Sequence, residues 1–463
     1  MPRSPSASSS ADRSAAFGAA EAGAYLEGLI NLERRPDLPY SRMGLEPIRA
    51  LLERAGNPER RLSVIHVAGS KGKGSTCLFC EGILAAAGER VGTFTSPHLE
   101  RWTERFRIAG REVEGDRLAR AVEQLRPHIE ELRRGDPARA PTFFDATTAV
   151  ALQLFAGAGL DRAVLEVGLG GRLDSTNAVR PAVTCISSIE LEHTDKLGDT
   201  LTAIAREKAG ILKRGVPCVI GELPEEAEGA VRERAAELGV PLFGLGEDFG
   251  VEAGAAVAGS STPARCEEAV LRFWHSDGFE LEVPLQVPGE HQARNAALAL
   301  AAVRQLGVYS DPELAAAATC GLAEVRLPGR IEVVEREPWV IVDSAHTPAS
   351  ARALKGVLAS LEAARTHLVL SVSSGKELSD LLAHLLPLAA EVTVTRAEPT
   401  RSLDPEELAS AVRSLRPDLT PRVIPDPRRA LLIARQRLGP GELLCATGSV
   451  YLAGIARSVL VPG

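Results

Sequence analysis

The eight residues GSKGKGST (69–76) constrain this 463-residue chain more than any other stretch. Apolar Leu62, Val64 and Ile65 precede them, and a helix-compatible run from Cys77 to Ala87 follows. A glycine-rich turn joining a strand to a helix presents backbone N–H groups and a helix dipole to an anion, which is the layout of a phosphate cradle. Lys73 supplies charge for β- and γ-phosphates, and Ser75 or Thr76 a hydroxyl for Mg²⁺. Gly74 separates Lys73 from Ser75, so the usual GxxxxGK[ST] order is broken.

The surrounding pattern alternates strand and helix. Strands are expected at 62–68, 91–95, 162–168, 182–188 and 216–220, with helices at 74–87, 116–134, 145–157 and 200–213. Residues 221–288 read as short inserted antiparallel strands before a helix at 291–307. A Pro/Gly turn near 311–330 marks a boundary, after which the alternation restarts from 339 to the end. The fold class is α/β. A central P-loop-type, doubly wound parallel sheet domain (23–326) precedes a smaller Rossmann-like α/β domain (327–463), and a disordered tail spans 1–22.

Net charge of −8 and 4% aromatic residues disfavour a nucleic-acid partner. No apolar run reaches a membrane span of roughly 18 residues, and the Ser/Ala-rich start lacks the apolar core of a secretory signal. Seven cysteines, an odd number, suit reduced buried thiols, and Cys77 with Cys80 reads as core packing. A cytoplasmic monomer acting on small molecules is expected.

Further stretches carry chemistry. TSPHL (95–99) puts Ser96 at the carboxyl end of a strand, where open α/β sheets bind ligands. Glu166, inside an apolar strand, is a costly carboxylate unless paired or metal-bound, and three glycines follow it. His193 and Lys208 gain meaning only from company, as do Arg330, Asp343 and His346 further along.

With EVGLGGRLDSTN, EHT, EKAGIL, GEHQARNAALAL, LPGR, DSAHTP and TGSVYLAG occurring in order, the chain resembles the folylpolyglutamate synthase/dihydrofolate synthase family of the Mur ligase superfamily. In that family a glycine between the lysine and serine of the turn is normal. The resemblance implies a ligase that uses ATP to join L-glutamate to dihydropteroate or folates through an acyl phosphate. It implies that Ser70, Lys71, Gly72, Lys73, Gly74 and Ser75 cradle the triphosphate, and that Asn295, Arg330 and Asp343 contact the nucleotide. Ser75, Ser96, Glu166 and His193 match magnesium ligands, with two ions implied. Lys208 matches a carbamylated lysine, and His346 falls in a motif facing the interdomain cleft, with a catalytic role beside Lys73 and Lys208. Gly44, Leu45, Glu46 and Pro47, then Thr142, Phe143, Phe144 and Asp145, then Leu173, Asp174 and Ser175, lie where the family binds pterin. GSKGKGS, EHT, DSAHTP and Asp145 depart from the family's usual residues and bear on substrate choice. A Mur-type ligase with another acid or amino acid, and a nucleotide switch, are the alternatives.

Overall fold

The computed structural model describes residues 18–31, 44–136, 140–254, 269–374 and 378–461. Most of the expected tail therefore lies outside the described residues. Its last part does not fit the expectation, because a helix spans Ala19–Glu27 and Ala22 is buried.

Eight strands form the first sheet: β1 (Ser63–Ala68), β2 (Val91–Phe94), β3 (Phe106–Ile108), β4 (Arg111–Glu112), β5 (Arg162–Glu166), β6 (Val183–Ile186), β7 (Cys218–Ile220) and β8 (Leu242–Gly244). Their order is β4-β3-β2-β5-β1-β6-β7-β8. All neighbours pair in parallel except the antiparallel pairs β2–β3 and β3–β4. Central β1 is buried from Val64 to Ala68, as expected of a parallel strand covered on both faces.

The helix Lys73–Ala86 packs Phe79, Ile83 and Leu84 into the core. Each such side chain contributes about 2 kcal/mol on burial, which seats the helix so that its amino end stays at the sheet's carboxyl edge. The helices Glu290–Arg304 and Asp311–Glu324 join the same core. Gly82 and Gly321 bring two helices together: a Cβ on Gly321 would stand 2.3 Å from the Gly82 carbonyl oxygen.

Residues 221–288 depart from the expectation in part. The inserted antiparallel sheet is present as β9 (Phe249–Gly254), β10 (Ala269–His275) and β11 (Glu280–Leu285), in the order β11-β10-β9. Ahead of it, however, stands a helix at Glu225–Leu238, followed by β8 on the main sheet. That helix buries mainly small residues, Ala227, Ala230, Val231 and Ala235, so its apolar periodicity is faint in the sequence. Its three first-turn glutamates, Glu225, Glu226 and Glu228, favour the positive helix end.

The second sheet comprises β12 (Glu332–Arg336), β13 (Trp339–Val342), β14 (Thr366–Leu370), β15 (Ala389–Val394), β16 (Arg422–Val423) and β17 (Leu443–Thr447). The order is β12-β13-β17-β14-β15-β16, parallel but for the edge strand β12. Leu327 packs with the first core and Ile331 with the second, so the chain crosses between layers over 328–330, just beyond the expected boundary.

Candidate active site

A cavity of about 590 Å³ lies between the carboxyl edge of the first sheet and the second domain. One wall is the turn after β1. Gly72 holds φ +81° as the N-cap of the helix that Lys73 opens, and a Cβ there would stand 2.3 Å from Asn295 Oδ1. Gly74 faces Glu166, whose carboxylate oxygens would lie 3.3 and 3.5 Å from an added Cβ. The glycine that breaks the expected order therefore lets the helix start pass close to a buried carboxylate. The turn is tied to the chain after β6: Ser70 N donates to Ser188 O (2.8 Å), Lys71 N to Ser188 Oγ (2.9 Å), and Ser187 Oγ to Lys71 O (2.5 Å). Lys73 Nζ donates to Gly69 O at 2.9 Å, over the mouth of the loop.

The cavity floor is acidic. Glu166, at the end of β5, accepts from Ser96 N at 2.8 Å. Burial raises its pKa, opposed chiefly by Lys73 and then by the Ser96 amide, Arg330 and Arg105. His193, in the left-handed region at φ +46°, lines the same space, and burial lowers its pKa. Among the described residues no three His, Cys, Asp or Glu side chains form a ready metal cluster. Magnesium commonly takes one or two carboxylates beside phosphate oxygens and water, so Glu166 with the Ser75 and Ser96 hydroxyls and His193 is a donor set of suitable chemistry.

Lys208 is almost wholly buried and does not line the cavity; its Nζ donates to Glu192 Oε1 at 2.8 Å. Burial brings Lys208 down to about 8 despite that partner. Burial resists ionisation of Glu192 as well, but Lys208 and then Lys73 hold it at about 2. Glu192 and the neighbouring Glu190 both line the cavity. Their short segment has no periodicity in the sequence to orient them, so nothing local marks them as site residues.

The second domain closes the cavity. Asp343, buried at the end of β13, accepts from Ile331 N (2.8 Å) and Ala345 N (2.6 Å), so its carboxylate braces the 330–345 wall. Arg330 donates to Ser344 Oγ, and His346 Nδ1 lies 2.8 Å from Ser344 O. Asn295 Nδ2 donates to Gln292 Oε1 at 3.0 Å. Arg330, Asp343, His346 and Asn295 all line the cavity with Ser70–Ser75, Ser96, Glu166 and His193.

Of the residues expected to contact a pterin, Phe143 alone lines this cavity. Asp145 is buried and accepts from Thr142 N (2.8 Å), Thr142 Oγ1 (2.7 Å) and Ser175 Oγ (2.7 Å). Asp174 accepts from Leu169 N (2.9 Å) and Thr176 N (3.0 Å). These two carboxylates organise the loops around them. Glu46 and Pro47 open the helix Glu46–Arg54, Gly44 and Leu45 precede it, and Leu173 follows Arg172 away from the lining. Phe144 lies under Gly168, 2.5 Å from where its Cβ would be. Beside Phe143 the structure assembles Trp102, His98 and Arg105. Trp102 meets Phe143 edge-on at 5.6 Å, Arg105 lies over both rings, and Arg105 Nε donates to His98 Nδ1 at 2.8 Å. The stretch WTER (102–105) carries no motif signal of its own.

Residues 67–303 match the Mur ligase middle domain and residues 329–450 the glutamate ligase domain of Mur ligases. The chain is 31% identical over 452 residues to the dihydrofolate synthase/folylpolyglutamate synthase of Bacillus subtilis, covering 95% of this chain and 98% of that protein. It is 35% identical over 419 residues to a probable bifunctional folylpolyglutamate synthase/dihydropteroate synthase of Haloferax volcanii, covering 90% of this chain and 48% of the relative, so it spans about half that protein's length. Among solved structures, E. coli FolC in complex with DHPP and ADP matches with a TM-score of 0.80 at 31% identity, covering 96% of this chain and 98% of that one. A bifunctional folylpolyglutamate synthase/dihydrofolate synthase with Mn, AMPPNP and L-glutamate bound matches with a TM-score of 0.80 at 32% identity, covering 96% and 98%.

Proposed function

Because the chain belongs to the folylpolyglutamate synthase/dihydrofolate synthase family of Mur ligases, we propose that it is an ATP-dependent ligase joining L-glutamate to dihydropteroate, to folates, or to both. The observation that carries this reading is the cavity in which a phosphate loop, a buried Glu166 and the second domain's Arg330, Asp343 and His346 face one another.

The acid's carboxylate attacks the γ-phosphorus of ATP, ADP leaves, and an acyl phosphate forms. The amine of L-glutamate then attacks the acyl carbon; phosphate departs, the amine gives up a proton, and an amide remains. Lys73, released from Gly69 O, stabilises charge on the transferring group, and the backbone amides of 70–75 hold the other phosphates. Ser75, Ser96, Glu166 and His193 would hold magnesium, which when bound neutralises phosphate charge. The second domain's wall keeps water from the acyl phosphate.

A carbamate on Lys208 and a second ion are further parts of the reading. The amine's depressed pKa, about 8, supports reaction with CO₂, since the neutral amine is the nucleophile. The ion pair with Glu192 must open for this. Protein equilibrated with ¹³C-bicarbonate should give a carbamate resonance that Lys208→Arg loses; no such resonance in active protein would remove the carbamate. Buried thiols at Cys77, Cys80, Cys185, Cys218 and Cys445 support a reducing, cytoplasmic setting.

The engagement of Asp145 and Asp174 by their own loops favours a second reading, the same ligase chemistry on a different acid. The experiment that separates them offers ATP, Mg²⁺ and an equimolar amino-acid mixture with dihydropteroate or tetrahydrofolate. Dihydrofolate or a lengthened glutamate chain, identified by mass spectrometry, supports the first reading. Amino-acid-dependent phosphate release only with some other acid supports the second.

A further inference from the structure

A second cavity, of about 870 Å³, opens at the amino edge of the first sheet, away from the site described above. Leu62, just before β1, and Arg180, three residues before β6, line it, whereas the phosphate turn leaves β1 at its other end. The six residues of β1, about 20 Å of strand, separate the two.

Three guanidiniums from three segments line this cavity. Arg49 comes from the helix Glu46–Arg54, whose buried side holds Ile48, Leu51 and Leu52. Arg60 comes from the short turn Pro58–Arg61, which Asn57 starts at φ +53°. Arg180 follows the turn Ser175–Ala178. None is firmly neutralised. Arg49 lies 3.8 Å from Glu46 with both side chains more than half exposed, and Arg60 lies 3.6 Å from Glu59. Long pairs of this kind hold little. Arg180 has no hydrogen-bond or ion-pair partner among the described residues. Burial, then Arg49 and Arg234, bring Lys213 down to about 8, which registers a surplus of positive charge at this edge.

Two carboxylates, Glu53 and Glu59, also line the cavity. Glu59 Oε2 is buried and accepts no hydrogen bond among the described residues, and burial raises the pKa of this carboxyl. A buried acceptor without a donor is costly. The cavity therefore suits a ligand that carries anionic groups and at least one hydrogen-bond donor. Leu52, Leu62 and Ala178 add an apolar floor.

We propose that this cavity is a second binding site, remote from catalysis, for a glutamyl chain, a ligand with carboxylates spaced along an amide backbone. This rests on the ligase reading above, whose product joins both groups in one molecule. The carboxylates meet the guanidiniums in paired, charge-assisted hydrogen bonds. An amide N–H meets Glu59 Oε2, and the chain's methylenes cover the floor. Phosphate anions offer the charge but no apolar stretch.

Equilibrium dialysis of the full chain with tri-L-glutamate, α- or γ-linked and without ATP, tests this at low ionic strength. Wild-type protein should bind the trimer, more weakly as salt is added. The loss of a charged hydrogen bond predicts a Kd raised about tenfold or more in Arg49→Gln and in Arg180→Gln. Both variants should keep the wild-type melt and the wild-type KM for ATP, acid and L-glutamate. Arg180→Lys should bind with an intermediate Kd, and it decides the matter if Arg180→Gln melts early. No binding, or binding that ignores all three substitutions and so belongs to the catalytic cleft, overturns the proposal. Pyrophosphate displacing the trimer at equal or lower concentration overturns it too, by marking a phosphate site. Wild-type protein without glutamate-dependent phosphate release would overturn the ligase reading, whereas an active ligase that fails to bind the trimer overturns this proposal alone.

Discussion

His66, in the middle of β1, illustrates how single buried groups hold the site's surroundings. Its Nε2 lies 2.8 Å from Thr176 Oγ1, whose own proton goes to Asp174 Oδ1. Nε2 must therefore carry the proton, which leaves the buried Nδ1 without a hydrogen-bond partner among the described residues. Burial, and then Lys213, hold the imidazole down to about 3. The unfolded chain binds a proton there near the ordinary value of about 6.5, so the unfolded state takes up more protons between those values. The stability held by neutral His66 is complete above about 6.5 and is lost as pH falls toward 3. Between pH 7 and 5 the loss from this residue should be about 2 kcal/mol. Urea unfolding at the two pH values should show that difference shrinking by a similar amount in His66→Gln, whose amide can still donate to Thr176. An equal pH dependence in both proteins would count against the assignment. Glu166 follows the same logic of burial, but with Lys73, the Ser96 amide and Arg330 arranged to favour its charge.

At the scale of elements, the helix Lys73–Ala86 has glycines with positive φ at both ends, and their surroundings differ. Gly72 at φ +81° abuts Asn295, whereas Gly88 at φ +85° has open space around it. Gly88→Ala should cost about 1–2 kcal/mol from the left-handed backbone alone and leave KM for ATP unchanged. Gly72→Ala carries that strain together with a collision against Asn295 Oδ1, so it should destabilise more and raise KM for ATP. Chemical denaturation with nucleotide-dependent kinetics checks both. Equal effects of the two variants on KM would show that the turn's close approach to Asn295 is not part of the nucleotide site.

For the whole molecule, the contact between domains runs through a loop that also serves the site. Arg457, on the last helix Val450–Leu460, donates to Glu100 Oε1 at 2.9 Å and to Glu332. Glu100 belongs to the segment that begins at Ser96, and Glu104 fastens that segment by accepting from the amides of Leu99, Glu100 and Arg101. A Cβ on Gly454 would stand 2.2 Å from Leu99 O, so the last helix rests directly on this loop. Arg457→Ala should loosen the second domain against the Ser96 loop and expose the acyl phosphate to water. Misplacement of reacting groups on this scale predicts kcat lowered roughly tenfold or more. Phosphate release should then exceed amide formation, and a ratio of one in the variant would argue that the clasp has no part in closure.

The alternation of strand and helix, the phosphate turn and the strand-end carboxylate Glu166 were legible because each depends on neighbours in sequence. Apolar periodicity, glycine spacing and an ionisable residue in an apolar run are local properties. The helix Glu225–Leu238 was hidden because alanines supply most of its buried face, and Glu190, Glu192, Trp102 and Arg105 because nothing local orients them. Only the tertiary structure decided that Lys208 pairs with Glu192, and that Asp145 and Asp174 face their own loops. The sequence by itself determined which chemical groups stand at the ends of the strands. Which of those groups meet was decided by sheet order and by the packing of the second domain, since a carboxylate's partner depends on distances in space that residue spacing does not encode.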